Sequence, residues 1–314
     1  MAHLAEELSL TDAFPCLRTY MPQDSMFSYS TAPNVHRGQR KLLLSEVEFL
    51  TQVHDSRILS TRCDGSAPPP PLPRFVCVYA GAYPCTHLEH LLQMYPNVNW
   101  ILIDPRFIND KKHHWDRNRV AIYAHKFDDA TAQAISEWAS GRKPHHAILP
   151  SLQGLNGTDK VGFENLLFLS DIRSDAYNEI SIALDMACQQ RWFRGLYASA
   201  GLLKFRLPYC DADWNARYQE HHGVVPYLDG TIYLPIWGRP STSECRLHVK
   251  RGCGIKNYDV RQHEERMAGF ESLDRQKPYV FNGDLFSSWD EAAEKSVMAA
   301  YLKCMKQYGY TVKL

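Results

Sequence analysis

From residue 75 onward the apolar positions come in short unbroken runs, separated by longer stretches in which apolar and polar residues recur at near-helical spacing. The runs Phe75 to Ala80, Trp100 to Ile103, Val120 to Ala124 and Leu166 to Leu169 predict strands. The stretches around His87 to Met94, Ala130 to Trp138 and Glu179 to Trp192 predict the helices between them. Unbroken apolar strands are buried on both faces, and their alternation with helices predicts an α/β fold, a mostly parallel central sheet with helices on both faces. Later runs at Leu196 to Arg206, Thr231 to Trp237 and Cys245 to Lys250 follow one another without long helices between them. The far edge of the sheet is therefore expected to be antiparallel.

Upstream, Gln39 to His54 reads as a helix, with Leu42, Leu43, Glu46, Phe49, Leu50 and Val53 forming its apolar stripe and Lys41 falling off it. SAPPPPLPRF (Ser66 to Phe75) favours an extended polyproline segment, read as a stiff surface loop, with a ligand for a proline-reading module as the alternative. PSLQGLNGTDKVG (Pro150 to Gly162) reads as a polar surface insertion, and a helix from Trp289 to Tyr308 closes the chain. No internal repeat is visible. The organisation expected is one domain over residues 1–314, with an N-terminal segment (1–36), a core (37–270) and a C-terminal helical region (271–314).

At 314 residues, 45% hydrophobic and 22% charged, the chain buries a full core. Lys plus Arg (35) balances Asp plus Glu (35), so a nucleic-acid partner has to be met by a local basic groove. No stretch approaches the roughly 20 apolar residues of a membrane span, and MAHLAEELSL lacks the basic start and apolar core of a signal peptide. A soluble intracellular protein without a membrane partner is expected. Nine cysteines without a CxxC pair read as reduced, mostly buried thiols. The doublets His113-His114, His145-His146 and His221-His222 lack zinc spacing, so no metal is expected.

The stretch VCVYAGAYPCTH (Val76 to His87) ends the first strand in a single glycine, Gly81. In a doubly wound sheet this first turn brings backbone N–H groups close to a cofactor. Ala82, Tyr83 and Cys85 replace the other residues of a G-x-G-x-x-G loop, which argues against a pyrophosphate and hence a nicotinamide cofactor. Asp104 ends the next strand in WILIDPR, where a carboxylate accepts hydrogen bonds from ribose hydroxyls. One glycine turn plus a ribose acid suits S-adenosylmethionine; the structural alternative for Asp104 is an acid in an ordinary turn. LFLSDIRS puts Asp171 and Arg173 at the same carboxyl edge, where unpaired buried charge is costly. Lys204 in LLKFRLPY and Glu244 in RPSTSECRL add further charges, each by itself most often a solvated or ion-paired group.

In order and spacing, GQRKLLLSEVEFL, VYAGAYPCTH, WILIDPR, FLSDIRS, LLKFRLPYCD and PSTSECRL resemble the poxvirus-type cap-specific mRNA (nucleoside-2'-O-)-methyltransferases, whose poxvirus member also serves as the small subunit of poly(A) polymerase. The resemblance runs from about Arg37 to Met267. It implies a Rossmann-like S-adenosylmethionine-dependent methyltransferase fold and a Lys-Asp-Lys-Glu catalytic tetrad at Lys41, Asp171, Lys204 and Glu244. It implies cofactor contacts at Gln39, Tyr79, Gly81, His87, Asp104, Arg106, Phe127, Asp128 and Arg173. Two departures stand out, Cys85 in place of a second glycine and Tyr83 in place of a small residue, both expected to crowd the methionine end of the cofactor.

The implied chemistry needs a base for a ribose 2'-hydroxyl, a weak acid, within about 3 Å of its proton. Lys204 is assigned as that base, Asp171 as the group that orients it and Glu244 as the anchor of Lys41. Lys41 and Arg246 are the cations expected to favour a neutral amine. An N7-methylated guanine is a cation that stacks between aromatic rings while carboxylates accept from its edge. Tyr209, Asp211 and Glu264 match the family's cap pocket; Tyr20 or Tyr29 is the expected second ring, and Ser241 stands where the poxvirus protein has an aromatic residue. The implied partners are the capped 5' end of an mRNA and a poly(A) polymerase catalytic subunit or other capping enzymes. The implied compartment is the cytoplasm for a viral protein and the nucleus for a cellular one. The alternatives are methylation of another cap-proximal nucleotide or of an uncapped RNA, and a non-catalytic RNA-binding or polymerase-accessory role.

Overall fold

A computed structural model of the chain describes residues 37–61, 69–110, 114–143, 145–155, 161–175, 178–207, 223–238 and 244–310. It opens with helix α1 (Arg37–Thr61) and continues β1 (Phe75–Ala80), α2 (Leu88–Met94), β2 (Val98–Ile103), β3 (Val120–Tyr123), α3 (Asp129–Ala139), the single-turn α4 (Leu149–Leu152), β4 (Leu166–Ser170), α5 (Glu179–Leu196) and β5 (Ala200–Phe205). Then come β6 (Val224–Leu228), β7 (Thr231–Tyr233), β8 (Cys245–Lys250), β9 (Ile255–Asp259), α6 (Val260–Gly269), β10 (Tyr279–Phe281), β11 (Asp284–Phe286) and α7 (Trp289–Gln307). The main sheet has seven strands in the order β3-β2-β1-β4-β5-β8-β7. Its first five are parallel, whereas β8 runs antiparallel to β5 and β7 antiparallel to β8. The alternation of strand and helix and the antiparallel far edge are both as the pattern predicts.

Register and the two-residue side-chain period of a strand decide which helices cover which face. Tyr79 pairs with Leu169, Leu169 with Leu202, and Leu202 with His248, so these four side chains share one face. That face meets α1: Phe49 lies edge-on to His248, ring centroids 5.2 Å apart, and His54 edge-on to Phe75, two residues from Cys77 and four from Tyr79. The opposite face carries Val78, Phe168 and Gly201, and Phe127 fills the space between Phe168 and Trp192 of α5. Gly201 lets α5 approach, because a Cβ there would stand 2.9 Å from the Phe193 ring. The closing helix α7 packs on α1, with Tyr308 Oη donating to the His54 carbonyl at 2.7 Å and Tyr301 Oη to that of Met94 at 2.9 Å.

The differences from the pattern have local causes. β5 begins at Ala200 and not at Leu196, because α5 runs to Leu196 and Tyr197 ends it in a left-handed turn (φ 54°). Only Thr231–Tyr233 of the expected Thr231 to Trp237 strand pairs, since Pro235 lacks an N–H and Trp237 turns the chain at φ 57°. The stretch from Pro150 is anchored by the buried side chains of Leu152, Leu155 and Val161, so its described part is not a mere surface insertion. The ribbon of β6 with β9, helix α6 and the hairpin of β10 with β11 have no counterpart in the periodicity reading.

Candidate active site

The sheet order reverses between β2 and β4 on either side of β1, and open α/β sheets place ligands at such a switch point, outside the carboxyl ends of the strands. Gly81 sits there with φ +74°, and a Cβ on it would stand 2.9 Å from the Ile172 nitrogen and 3.0 Å from the Asp171 carbonyl carbon. The glycine is thus required by the close pass of the β1 turn over the β4 turn, a reason independent of any cofactor. Cys85 also takes a left-handed conformation (φ 47°), the backbone that a glycine favours. Its thiol is turned into the core and buried, so it does not crowd the mouth of the turn. Tyr83 lies edge-on to Phe107, with the Arg106 guanidinium 5.1 Å from its ring centroid.

The two-residue period carries the α1-facing side of the sheet past the strand ends: Leu169 leads to Asp171, Leu202 to Lys204, and His248 back to Arg246 and Glu244. Lys204 and Arg246 are direct cross-strand partners. Lys204 Nζ lies 3.0 Å from Asp171 Oδ1 and 3.2 Å from Glu244 Oε2. Lys41, projecting from α1 over this face, donates to Glu244 Oε1 at 3.0 Å. Arg246 donates to Asp171 Oδ1 at 2.6 Å and stands 3.8 Å from Glu244. All four residues expected as the tetrad, and Arg246, therefore converge in one network, although 203 positions separate Lys41 from Glu244 in sequence.

Burial opposes ionisation of Asp171, but the Arg246 and Lys204 cations outweigh it and hold the carboxyl below its ordinary range. Burial works the same way on Glu244, where Lys41, Lys204 and Arg246 hold the carboxyl well below the usual value. For Arg246 burial is outweighed by Asp171 and Glu244, which raise its pKa. Both carboxylates are thus fixed as anions. Burial pushes the Tyr79 phenol well up, with Glu46 and Asp171 adding to it, so it stays protonated beside the network.

The expected cofactor residues divide by employment. Asp104, buried at the end of β2, accepts from the Arg106 backbone N–H and Nε at 2.9 Å and from its terminal nitrogen at 2.7 Å. The Arg106 side chain is 60% exposed, so this fork covers the carboxylate from the solvent side. Gln39 Oε1 accepts from the Thr86 backbone N–H at 3.0 Å and meets His87 Nδ1 at 2.9 Å, while His87 Nε2 meets Glu46 Oε2 at 2.7 Å. Gln39, His87 and Glu46 thereby latch α1 to the glycine turn. Glu46 was not foreseen as part of this latch; the available signal was a carboxylate inside an apolar stripe. Phe127 is core packing and Asp128 caps α3 through the Thr131 N–H at 2.8 Å. The Arg173 side chain is 10% exposed, its Nη1 4.0 Å from Asp185, and its terminal nitrogens are buried without a hydrogen-bond partner among the described residues. Glu264 is buried on α6, whose His263 and Met267 contact Phe205 and Cys245, the neighbours of Lys204 and Glu244. Tyr20, Tyr29, Tyr209, Asp211 and Ser241 lie outside the described residues.

Sheet order, glycine turn and a polar cluster at the switch point together define a Rossmann-like fold of the methyltransferase type. Residues 22–142 match the family model of the poly(A) polymerase regulatory subunit, which bears out the resemblance over that stretch. The matched stretch is less than half of the chain; it includes Lys41, Gly81 and Asp104 and ends before Asp171, Lys204 and Glu244. No curated protein matches the chain. No helix among the described residues is long and apolar enough to cross a membrane.

Proposed function

We propose that this protein transfers a methyl group from S-adenosylmethionine to the ribose 2'-hydroxyl of a cap-proximal nucleotide, the first transcribed one, of N7-methylguanosine-capped mRNA. The observation that carries the reading is the position of Lys204 Nζ between Asp171 and Glu244, at 3.0 and 3.2 Å, on the carboxyl edge of the sheet. The residues around the cleft fit the cofactor. Gly81 leaves its turn without a side chain, and Ser170 Oγ and the Arg173 terminal nitrogens are buried polar atoms lacking hydrogen-bond partners among the described residues. In this reading Arg173 meets the cofactor's carboxylate. Asp104 accepts from the ribose hydroxyls once the exposed Arg106 fork shares or leaves it, since an ionised carboxylate offers about four acceptor sites.

When bound, S-adenosylmethionine supplies an electrophilic methyl on a sulfonium. Lys204 takes the proton of the 2'-hydroxyl at Nζ as the new bond forms. Asp171 and Glu244 fix the direction of that amine and stabilise the ammonium that proton uptake creates. Arg246 and Lys41 bind the same two carboxylates, so Asp171 and Glu244 are shared between Lys204 and these two cations. Nucleic acid is met locally: Lys41, Arg173, Lys204, Arg206 and Arg246 gather at this edge of a chain whose formal net charge is zero. The family match favours a second role beside catalysis, association with a poly(A) polymerase catalytic subunit, which a pull-down with that subunit tests.

The deciding experiment is transfer of labelled methyl to capped and uncapped RNA, with nuclease mapping of the product. Wild type is expected to label the capped RNA at a cap-proximal 2'-oxygen. Lys204→Arg keeps the charge but stays protonated, so it binds cofactor and RNA while single-turnover rates fall about 10²–10⁴-fold. Near-normal transfer by Lys204→Arg between pH 7 and 9 places the base elsewhere, and equal labelling of uncapped RNA removes the cap from the proposal.

A further inference from the structure

Away from the tetrad, a cavity of about 110 Å³ opens at the seam between α1, α7 and the chain following β7. Leu234, Ile236, Trp289 and Val297 form an apolar wall on one side, and α1 contributes Glu48 and Asp55 on the other. Glu48 and Asp55 stand seven residues apart, two helical turns, and so project from one side of α1. Among the described residues Glu48 has neither a hydrogen bond nor an ion pair. Two arginines of the region are engaged elsewhere, Arg275 with Glu271 and Asp290 and Arg40 with Glu294, while Lys250 acts on His248. α7 contributes no charged residue to the lining, and on the sheet side Tyr233, whose phenol Glu48 acts on, is hydrogen-bonded to His248 at 2.9 Å.

A carboxyl group against hydrocarbon is stabilised as an anion by a counter-charge, but a small hydrated ion leaves the apolar wall uncovered. A ligand with a short hydrocarbon body and one terminal cation satisfies both sides, the general make-up of a small-molecule site. Cavities of about 150 Å³ lined by aliphatic and aromatic side chains hold benzene-sized groups, so the body here is limited to about four to six carbons. We propose that this cavity binds a primary alkylammonium group, its chain against Leu234, Ile236 and Val297 and its amine on Glu48. The site is separate from the tetrad and stands or falls independently of the methyl-transfer reading.

Burial pushes the Glu48 carboxyl up to about 8, so in the empty protein it carries a proton at neutral pH. Binding an ammonium expels that proton. Affinity therefore rises about tenfold per pH unit up to about pH 8 and levels off above it, until the amine itself deprotonates near its own value of about 10.4. The test is titration calorimetry of the full chain with n-butylammonium chloride at pH 6, 7, 8 and 9, with n-butanol as the uncharged control. Expected are binding of the amine over the alcohol, release of about one proton at pH 7, and loss of both affinity and pH dependence in Glu48→Gln. Filling the cavity with Ala293→Leu is expected to abolish binding while methyl-transfer activity persists. An Nα-acetyl-lysine methylamide arm assigns the source: equal affinity identifies the ammonium as that of a polypeptide lysine, weaker affinity as that of a free amine. Equal binding of butanol, no binding at pH 8, or unchanged affinity and pH profile in Glu48→Gln or Ala293→Leu overturns the proposal.

Discussion

Replacing Gly81 by alanine separates two demands that meet at the glycine turn. At φ +74° any residue with a Cβ incurs the left-handed penalty of about 1–2 kcal/mol. The added carbon also stands 2.9 to 3.1 Å from three backbone atoms of Asp171 and Ile172, none of which can rotate away as a side-chain end would. Such overpacking costs about 1–3 kcal/mol more, for a total of about 2–5 kcal/mol. Gly252 supplies the control: its φ is +81°, and a Cβ there meets nothing within 4 Å, so Gly252→Ala carries the left-handed penalty alone. Relief at Gly81 comes by pushing the β4 turn outward, and that turn carries Asp171, 3.0 Å from Lys204. Displacement of a catalytic group by about 1 Å costs on the order of 10²-fold in rate. Urea unfolding of both variants and single-turnover methyl transfer by Gly81→Ala read the two effects. If Gly81→Ala loses no more stability than Gly252→Ala, the close pass of the two turns is not what holds this glycine.

Asp104→Ala is expected to weaken S-adenosylmethionine binding by about 1–3 kcal/mol in calorimetry, and unchanged affinity would return Asp104 to the service of Arg106 alone. Stability carries a pH signature. Burial pushes His54 and His248 down to about 4, so their contribution is lost as pH falls from about 6.5; burial pushes Glu48 and Glu271 up to about 8 and about 7, so theirs is lost as pH rises from about 4.5. The two pairs offset each other between about pH 4.5 and 6.5, and urea unfolding is expected to show a fall of about 2–3 kcal/mol from pH 6.5 to 8, reduced in Glu48→Gln. Equal stability at pH 6.5 and 8 contradicts these assignments. Arg275→Met leaves Asp290 and Glu271 buried without their cation and is expected to cost about 3–5 kcal/mol in the same assay, whereas a loss below 1 kcal/mol would mean the carboxyls reprotonate freely.

Local pattern was enough to determine the strands β1 to β4, the helices between them and the antiparallel edge, because a strand buried on both faces has to be continuously apolar and a covering helix has to be striped. The glycine turn and the acid ending the next strand were legible for the same reason, since each is tied to a fixed distance along the chain from the strand it follows. Pairing across long separations was not. That Lys204 stands opposite Arg246, and that Asp171, Lys204 and Glu244 all emerge on the side covered by α1, follows from register. A shift of one residue in any of those strands would turn its charge to the other face, and nothing in the local pattern sets that alignment. The latch of Gln39, His87 and Glu46 and the α1–α7 cavity belong to the same class. Each joins side chains from elements distant in sequence, and only the packing of α1 against the sheet and α7 decides which of its polar residues meet a partner and which, like Glu48, are left facing hydrocarbon.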